Sequence, residues 1–133
     1  MREAPAPLPP SRPLRERVGR AGEAAAVSFL QKQGMHILDR DWRSRLGQID
    51  IVADDGGTLV LVEVKTRRGE RYGTPQEAVD ARKRQKLRSL LEVYRAATRR
   101  QQQPCRIDVL GLLLGPDLSV IRCEHIKDAV QGD

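Results

Sequence analysis

Cysteine and aromatic residues are scarce in this sequence, and both shortages exclude classes of protein. The cysteines are Cys105 and Cys123. They are too few for a scaffold held by disulfides, and they lack the paired spacing of a zinc site. Aromatic side chains make up 3% of the chain. That content argues against a base-stacking platform of the kind that binds single-stranded nucleic acids.

Long apolar runs are also missing. No stretch approaches the roughly 20 apolar residues that cross a bilayer as a helix, so the sequence predicts neither an integral membrane protein nor a membrane partner. The segment Met1 to Pro10 has no apolar core of the kind found in secretion signals. We therefore expect a cytoplasmic protein.

Charged residues, in contrast, are abundant. The chain has 24 Lys and Arg against 18 Asp and Glu, for a net charge of +6 over 133 residues. This length fits one domain, and the positive balance suggests a polyanionic partner. Residues 1–13 hold five of the eight prolines, at positions 5, 7, 9, 10 and 13. We predict that this segment is a disordered tail and that residues 14–133 form a single domain.

Hydrophobic periodicity predicts a helix, three strands, a second helix and two further strands. This order is typical of a small α/β domain, here with a mixed sheet of about five strands flanked by helices. The second helix has a start signal in Thr74, Pro75 and Glu77: a capping threonine, a first-turn proline and a glutamate three residues after the cap. The predicted helices span residues 19–33 and 75–99, and the predicted strands span 35–42, 49–54, 58–65, 106–114 and 118–122.

The strand at residues 58–65 ends in charged residues after an apolar run. Side chains alternate across a strand, so Glu63 and Lys65 share a face with Leu59 and Leu61 while valines occupy the other face. A strand that is apolar on both faces is usually buried, and unpaired charges at its end are costly. A Glu–Lys ion pair at a solvated strand end and a functional site both account for this pattern.

The turn before this strand predicts what lies opposite these charges. If Gly56 and Gly57 form a two-residue turn, Asp50 faces Glu63 and Gln48 faces Lys65. Opposed carboxylates repel each other unless a proton or a cation lies between them, and Mg²⁺ binds one or two protein carboxylates while keeping several waters. A neighbouring lysine can orient an attacking water or stabilise charge on a phosphate. Asp50, Glu63 and Lys65 are therefore candidate catalytic residues.

The predicted second helix carries a dense set of basic residues. Val79, Leu87, Leu90, Leu91 and Tyr94 form its apolar stripe, and arginines and lysines lie on both sides of it. Such faces contact phosphates without sequence preference, although a lone cationic face is more often simply solvated. Lys83 lies on the apolar stripe. Snorkelling of its side chain explains this position, and so does a place beside an active-site cleft.

Several segments together resemble the successive motifs of the bacterial YraN family. The likeness covers about residues 19–110 and keeps the order and spacing of these motifs. The segments are GRAGEAAAVSFL, DWRSRLGQIDIVADDG, LVLVEVKTRR, GTPQEAVDARKRQKL and CRIDVL. This family is similar to the PD-(D/E)xK nucleases and most resembles their Holliday-junction resolvase branch. The resemblance implies a restriction-endonuclease-like fold and an endonuclease that hydrolyses phosphodiester bonds, with branched DNA as one substrate.

The resemblance also implies roles for particular residues. Asp50 and Glu63 match the metal-binding acids, Lys65 matches the catalytic lysine, and Glu23 matches an acid of the first helix that completes the metal site. Trp42 and Arg43 match a family Trp-Arg pair. The implied cofactor is Mg²⁺ or Mn²⁺, the implied partner is nucleic acid, DNA rather than RNA, and a homodimer is implied by analogy. The candidate phosphate contacts are Arg43, Lys83 and Lys86.

One departure from the family pattern leaves other functions open. The family usually has Gly-Glu-Ile-Asp where this chain has Gly-Gln-Ile-Asp, so Gln48 replaces a carboxylate. An amide supplies an oxygen ligand or a hydrogen bond to water but no negative charge. The first alternative is a catalytically inactive nucleic-acid-binding module of the same fold. The second is a protein-interaction domain that uses the basic helix against an acidic partner.

Overall fold

The computed structural model describes residues 12–69 and 80–130, and it contains two helices and five strands. Their order, helix, three strands, helix, two strands, confirms the order predicted from periodicity. Neither helix in these two ranges is both long and apolar enough to cross a membrane. The elements are α1 (Leu14–Lys32), β1 (His36–Ser44), β2 (Gly47–Asp55), β3 (Thr58–Arg68), α2 (Ala81–Ala97), β4 (Cys105–Leu114) and β5 (Val120–Ile126).

The five strands form one mixed sheet in the order β1-β2-β3-β4-β5. β3 and β4 pair in parallel, whereas the other neighbours are antiparallel. The parallel pair is connected through α2, as a parallel connection requires a crossover. This mixed sheet with two helices is consistent with the predicted α/β, restriction-endonuclease-like fold.

The central strand β3 is buried on both faces, as its sequence predicted. Leu59 and Leu61 join an apolar cluster with Leu87, Leu90, Leu91 and Tyr94 of α2. Val60 and Val62 join a second cluster with Ala26 and Leu30 of α1. The two helices therefore cover opposite faces of the sheet. The apolar stripe of α2 is buried as expected, except for Val79, which lies outside the described residues.

Both helix starts differ from the prediction. α1 begins at Leu14 rather than Gly19. In its first turns Arg20 Nε lies 3.3 Å from Oε1 of Glu16, which forms an i,i+4 ion pair. α2 begins at Ala81 rather than Pro75. Asp80 has extended backbone angles, and its carboxylate accepts a hydrogen bond from the amide of Lys83. The predicted start signal at residues 74–77 lies outside the described residues.

Strand ends also differ from the prediction, because tertiary pairing extends them. β3 continues to Arg68, where the prediction ended it at Lys65, because residues 59–68 all pair with β4. β5 runs from Val120 to Ile126 rather than from 118 to 122. Leu118 has a positive φ of 66° and belongs to the turn that precedes this strand.

α1 approaches β3 closely at Gly22. A Cβ atom at this position would overlap the side chain of Thr66. The missing side chain therefore lets the helix backbone lie directly against the end of β3. This contact sets the distance between the next helical residue, Glu23, and the charged end of the strand.

A buried ionic cluster lies on β4 and β5. Asp108 is fully buried, and its oxygens accept hydrogen bonds from Arg106 Nε at 2.9 Å and from the amide of Asp128 at 2.9 Å. His125 Nε2 lies 2.9 Å from the second oxygen of Asp108. Arg106 also binds Asp55 at 2.8 Å. The cluster joins four segments, and these contacts give His125 a structural role.

Candidate active site

The hairpin between β2 and β3 has the predicted two-residue turn. Gly56 and Gly57 have positive φ values of 60° and 102°, and Asp55 pairs with Thr58. Positive φ at both turn residues is the type that matches the twist of the flanking strands. The described pairs continue without a shift as far as Ile51 and Val62. This register determines how far along their strands Asp50 of β2 and Glu63 of β3 lie relative to each other.

Beyond that pair the predicted geometry changes at Asp50. Ile49 and Val52 both pack in the cluster on the α2 face, whereas Ile51 packs on the α1 face. Strict alternation is therefore interrupted between positions 49 and 52. The predicted pairing of Asp50 with Glu63 is not among the described strand pairs. Instead, the carboxylate of Asp50 accepts a hydrogen bond of 2.9 Å from the amide of Val64.

Glu63 is the buried acid of the site. Its side chain is 11% exposed, and each of its oxygens has a lysine nearby. Lys65 Nζ lies 3.8 Å from Oε1, and Lys83 Nζ lies 3.4 Å from Oε2. Lys65 comes from the same strand, while Lys83 comes from the first turn of α2. Burial of this carboxylate is thus compensated by two cations from different elements.

The Asp50 carboxyl group has an unusual affinity for protons. Burial and the neighbouring negative charge of Glu63 raise the pKa of Asp50 from 3.8 to about 6. The amide of Val64 and the ammonium of Lys65 oppose this shift. A raised pKa of this origin means that burial and the charge of Glu63 make ionisation of a second carboxylate costly at this position. A cation bound between the two carboxylates would lower that cost.

We predict that Asp50→Asn stabilises the protein above pH 6. The folded state holds the Asp50 proton more tightly than the unfolded chain, so its stabilising contribution is present at low pH. That contribution is lost as the pH rises from about 4 to above 6. A shift from 3.8 to about 6 corresponds to as much as about 3 kcal/mol at pH 7.5. Urea unfolding of the wild type and of Asp50→Asn between pH 4.5 and 8, without divalent cations, measures this difference in unfolding free energy.

The difference in stability between the variant and the wild type should be smallest at pH 4.5, where Asp50 is still protonated in the folded state and resembles asparagine there. The difference should then grow with pH and level off above pH 7. Asp117→Asn at an exposed turn is the matched control and should show no such growth. A constant difference across the pH range would contradict the proposed environment of Asp50.

A cleft of about 470 Å³ opens beside these residues, between α1 and the ends of β2 and β3. Its charged and amide lining includes Arg20, Glu23, Gln48, Asp50, Lys65 and Arg67. Cations and acids thus meet at one opening. Gln48, which departs from the family pattern, faces the same space as the acid two residues along its strand.

Glu23 lies in this cleft but does not join the other two acids. Its Oε1 accepts a hydrogen bond of 3.2 Å from Arg40 Nε. Within residues 12–69 and 80–130, no three His, Cys, Asp or Glu side chains are grouped so that they could hold a metal ion. Of the three metal ligands that the resemblance implies, Asp50 and Glu63 therefore lie together, whereas Glu23 lies on the α1 side of the cleft.

The remaining candidates lie around the rim or pack elsewhere. Arg43 is an exposed residue of β1 that pairs with Gln48 across the strands and lies 3.4 Å from Asp41. Lys86 places its side chain against Gly47 at the start of β2. Trp42 packs edge to face on Tyr94 at 5.1 Å between ring centres. The Trp-Arg pair thus divides into a packing residue and a surface cation.

Sequence reasoning missed two cations of the cleft and the partner of Glu23. Arg20 already lay in the predicted helix, but its place in the cleft was not foreseen, and the Glu16–Arg20 spacing of four residues was the available signal for a helix that begins at Leu14. Arg67 lies on β3 because pairing with β4 extends that strand. Arg40 reaches Glu23 from β1, a contact between residues 17 positions apart that no local pattern indicates.

Comparison with known proteins gives the family of this chain. The model of a family described as Uncharacterised protein family UPF0102 matches residues 22–112, which is more than half of the chain. The chain belongs to the UPF0102 (YraN) family. A UPF0102 protein of Symbiobacterium thermophilum is 50% identical over 116 residues, covering 87% of this chain and 98% of the relative. A UPF0102 protein of Moorella thermoacetica is 44% identical over 115 residues, covering 86% and 96%.

A solved structure also shows a partial likeness to this UPF0102 protein. It is the complex of EndoMS with double-stranded DNA, with a TM-score of 0.39 and 20% sequence identity. The match covers 72% of this chain and 36% of that chain. The likeness is too distant to carry an argument about function, so the function proposed below rests on the cleft of the UPF0102 chain itself.

Proposed function

We propose that this protein is a metal-dependent nuclease that hydrolyses phosphodiester bonds of DNA. The observation that carries the proposal is that two neighbouring carboxyl groups, Asp50 and Glu63, lie with Lys65 beside an open cleft, which Asp50 and Lys65 line. Two acids and a lysine at adjacent strand ends are what phosphodiester hydrolysis needs: ligands for a cation and a donor for the phosphate.

The residues present suit a hard divalent cation. Mg²⁺ and Mn²⁺ prefer carboxylate and amide oxygens, and Mg²⁺ needs only one or two protein carboxylates because it keeps several waters. Asp50 and Glu63 would hold the ion, and Gln48 would supply an amide oxygen or a hydrogen bond at the same wall. Bound there, the ion would activate water and offset the negative charge of the phosphate.

The protein's own cations would complete the chemistry. Lys65 lies on the strand that carries Glu63 and also lines the cleft, so its ammonium can stabilise charge that develops on the scissile phosphate. Arg20 and Arg67 line the same opening and would contact flanking phosphates. Arg43, Lys83 and Lys86 remain candidate contacts for phosphates farther along the bound nucleic acid. Such contacts position nucleic acid without reading its sequence.

Gln48 supports a second candidate function, an inactive nucleic-acid-binding module. Replacing an acid with an amide in the cleft lowers the negative charge available to a metal ion. If this loss prevents metal binding, the cationic residues still bind phosphates, with an affinity that falls steeply as salt increases. A restored carboxylate in Gln48→Glu would then bring back metal-dependent cleavage.

Cleavage of a labelled panel tests the proposal. The substrates are a four-way junction, a flap, single-stranded DNA, duplex DNA and structured RNA, each with Mg²⁺, Mn²⁺ or a chelator. We expect cutting of DNA that requires the metal and that Asp50→Asn abolishes. Salt-sensitive binding without cutting would replace the proposal with the inactive module. Cutting in chelator, or cutting retained in the variant, would contradict the metal site.

A further inference from the structure

Lys83 has an unexpected contact for a residue of a basic surface helix. Its ammonium lies 3.4 Å from Oε2 of Glu63, closer than Lys65 lies to Oε1 at 3.8 Å. The lysine side chain is 34% exposed and the glutamate side chain is 11% exposed. Asp80 caps the helix by accepting a hydrogen bond from the amide of Lys83, so the backbone at this point is fixed. The contact therefore pairs a fixed helix terminus with a buried acid.

We propose that Lys83 is the internal counter-ion of Glu63 in the metal-free protein and exchanges that carboxylate for a substrate phosphate when a divalent cation binds. The inference rests on the metal site proposed above. It makes Lys83 a positioning residue that links metal binding to nucleic-acid binding, a role different from that of a permanent phosphate contact.

The exchange follows from the number of charges at the site. Glu63 carries one negative charge and has a lysine at each oxygen, while Asp50 adds a second acid. A divalent cation between the acids would leave more positive than negative charge, so one ammonium must move. Lys65 belongs to the same strand as Glu63 and lines the cleft. Lys83 comes from another element and has a long flexible side chain, and it is the lysine able to turn outward toward solvent.

Titration calorimetry of Mn²⁺ into Lys83→Met without nucleic acid gives the first test. Removing the competing ammonium should tighten Mn²⁺ binding about twofold to fivefold, the range expected for a partly exposed ion pair. Arg82→Met is the matched control, since it removes one positive charge from an exposed position of the same helix but not from Glu63. It should change the affinity less than twofold. Lys83→Arg should restore wild-type affinity.

The second test measures binding of a labelled DNA four-way junction in a Lys65→Ala background, in which cutting should be at least about 100-fold slower. Mn²⁺ should increase the affinity of Lys65→Ala for the junction, and this increase should shrink in Lys65→Ala with Lys83→Met. In chelator the two proteins should bind the junction almost equally, because Lys83 is then engaged with Glu63.

The results separate this inference from the nuclease assignment. Tighter Mn²⁺ binding in Lys83→Met supports the exchange even if no substrate is cut. Unchanged or weaker Mn²⁺ binding in that variant overturns the exchange, while cleavage by the wild type would leave the nuclease assignment intact. Absence of Mn²⁺ binding in the wild type and in Lys83→Met overturns both.

Discussion

Lys65→Ala should lower the rate constant for metal-dependent DNA cleavage at least about 100-fold while leaving the affinity for Mn²⁺ within a few-fold of wild type. The reason is that Lys65 is assigned to charge that develops on the phosphate, whereas Asp50 and Glu63 are assigned to the ion. Loss of one such stabilising group typically reduces kcat by about 10²–10³. Single-turnover cleavage with saturating protein measures the rate constant, and calorimetry measures the metal affinity.

Two further variants make this result specific to the site. Lys32→Ala removes the same charge from the exposed end of α1, away from the cleft, and should cut at the wild-type rate. Glu63→Gln should instead weaken Mn²⁺ binding, since it removes a ligand and leaves two lysines without their carboxylate. A Lys65→Ala protein that still cuts at the wild-type rate would remove Lys65 from the mechanism.

Asp108→Ala should cost about 3–5 kcal/mol of unfolding free energy, the usual cost when one partner of a buried ion pair is removed. Asp108 is fully buried and holds Arg106, His125 and the amide of Asp128. The truncation leaves those donors buried with fewer acceptors, although Arg106 keeps its contact with Asp55. Urea unfolding at pH 7 with far-ultraviolet circular dichroism measures the change.

Asp117→Ala provides the exposed comparison for the same substitution. Asp117 is exposed and accepts hydrogen bonds from Ser119 within its own turn, so its removal should change the unfolding free energy little. Asp108→Asn should lie between the two, because the amide preserves one acceptor while losing the charge. Similar stabilities for Asp108→Ala and Asp117→Ala would show that the cluster contributes no net stability. Some buried ion pairs behave in this way, because the cost of desolvating the charges cancels their attraction.

The fold was largely predictable because its main signals are local. The turn at Gly56 and Gly57 sets the register of β2 and β3, and the valines and leucines of β3 indicate burial on both faces. Helix starts were less predictable. Asp80 caps the start of α2 at Ala81, because a capping side chain can act at any of several nearby polar positions, while the predicted start signal at Thr74 lies outside the described residues.

The candidate site was predictable only in part, because only some of its contacts follow from local sequence patterns. The sequence placed Asp50, Glu63 and Lys65 together, since two-residue spacing and a tight turn are enough to do so. It did not reveal that alternation breaks beside Asp50, so that the acid binds the amide of Val64. Such an irregularity depends on how both faces of the sheet are packed, which no short pattern records.

The sequence alone therefore determined the element order, the hairpin register and the three residues at its charged end. Tertiary structure decided the second lysine of Glu63, the separation of Glu23 from the other acids, and the buried cluster around Asp108. The physical reason is distance along the chain. Turn geometry and side-chain periodicity act over a few residues, whereas α1, α2 and β5 reach their partners only after the sheet has formed and both of its faces are covered.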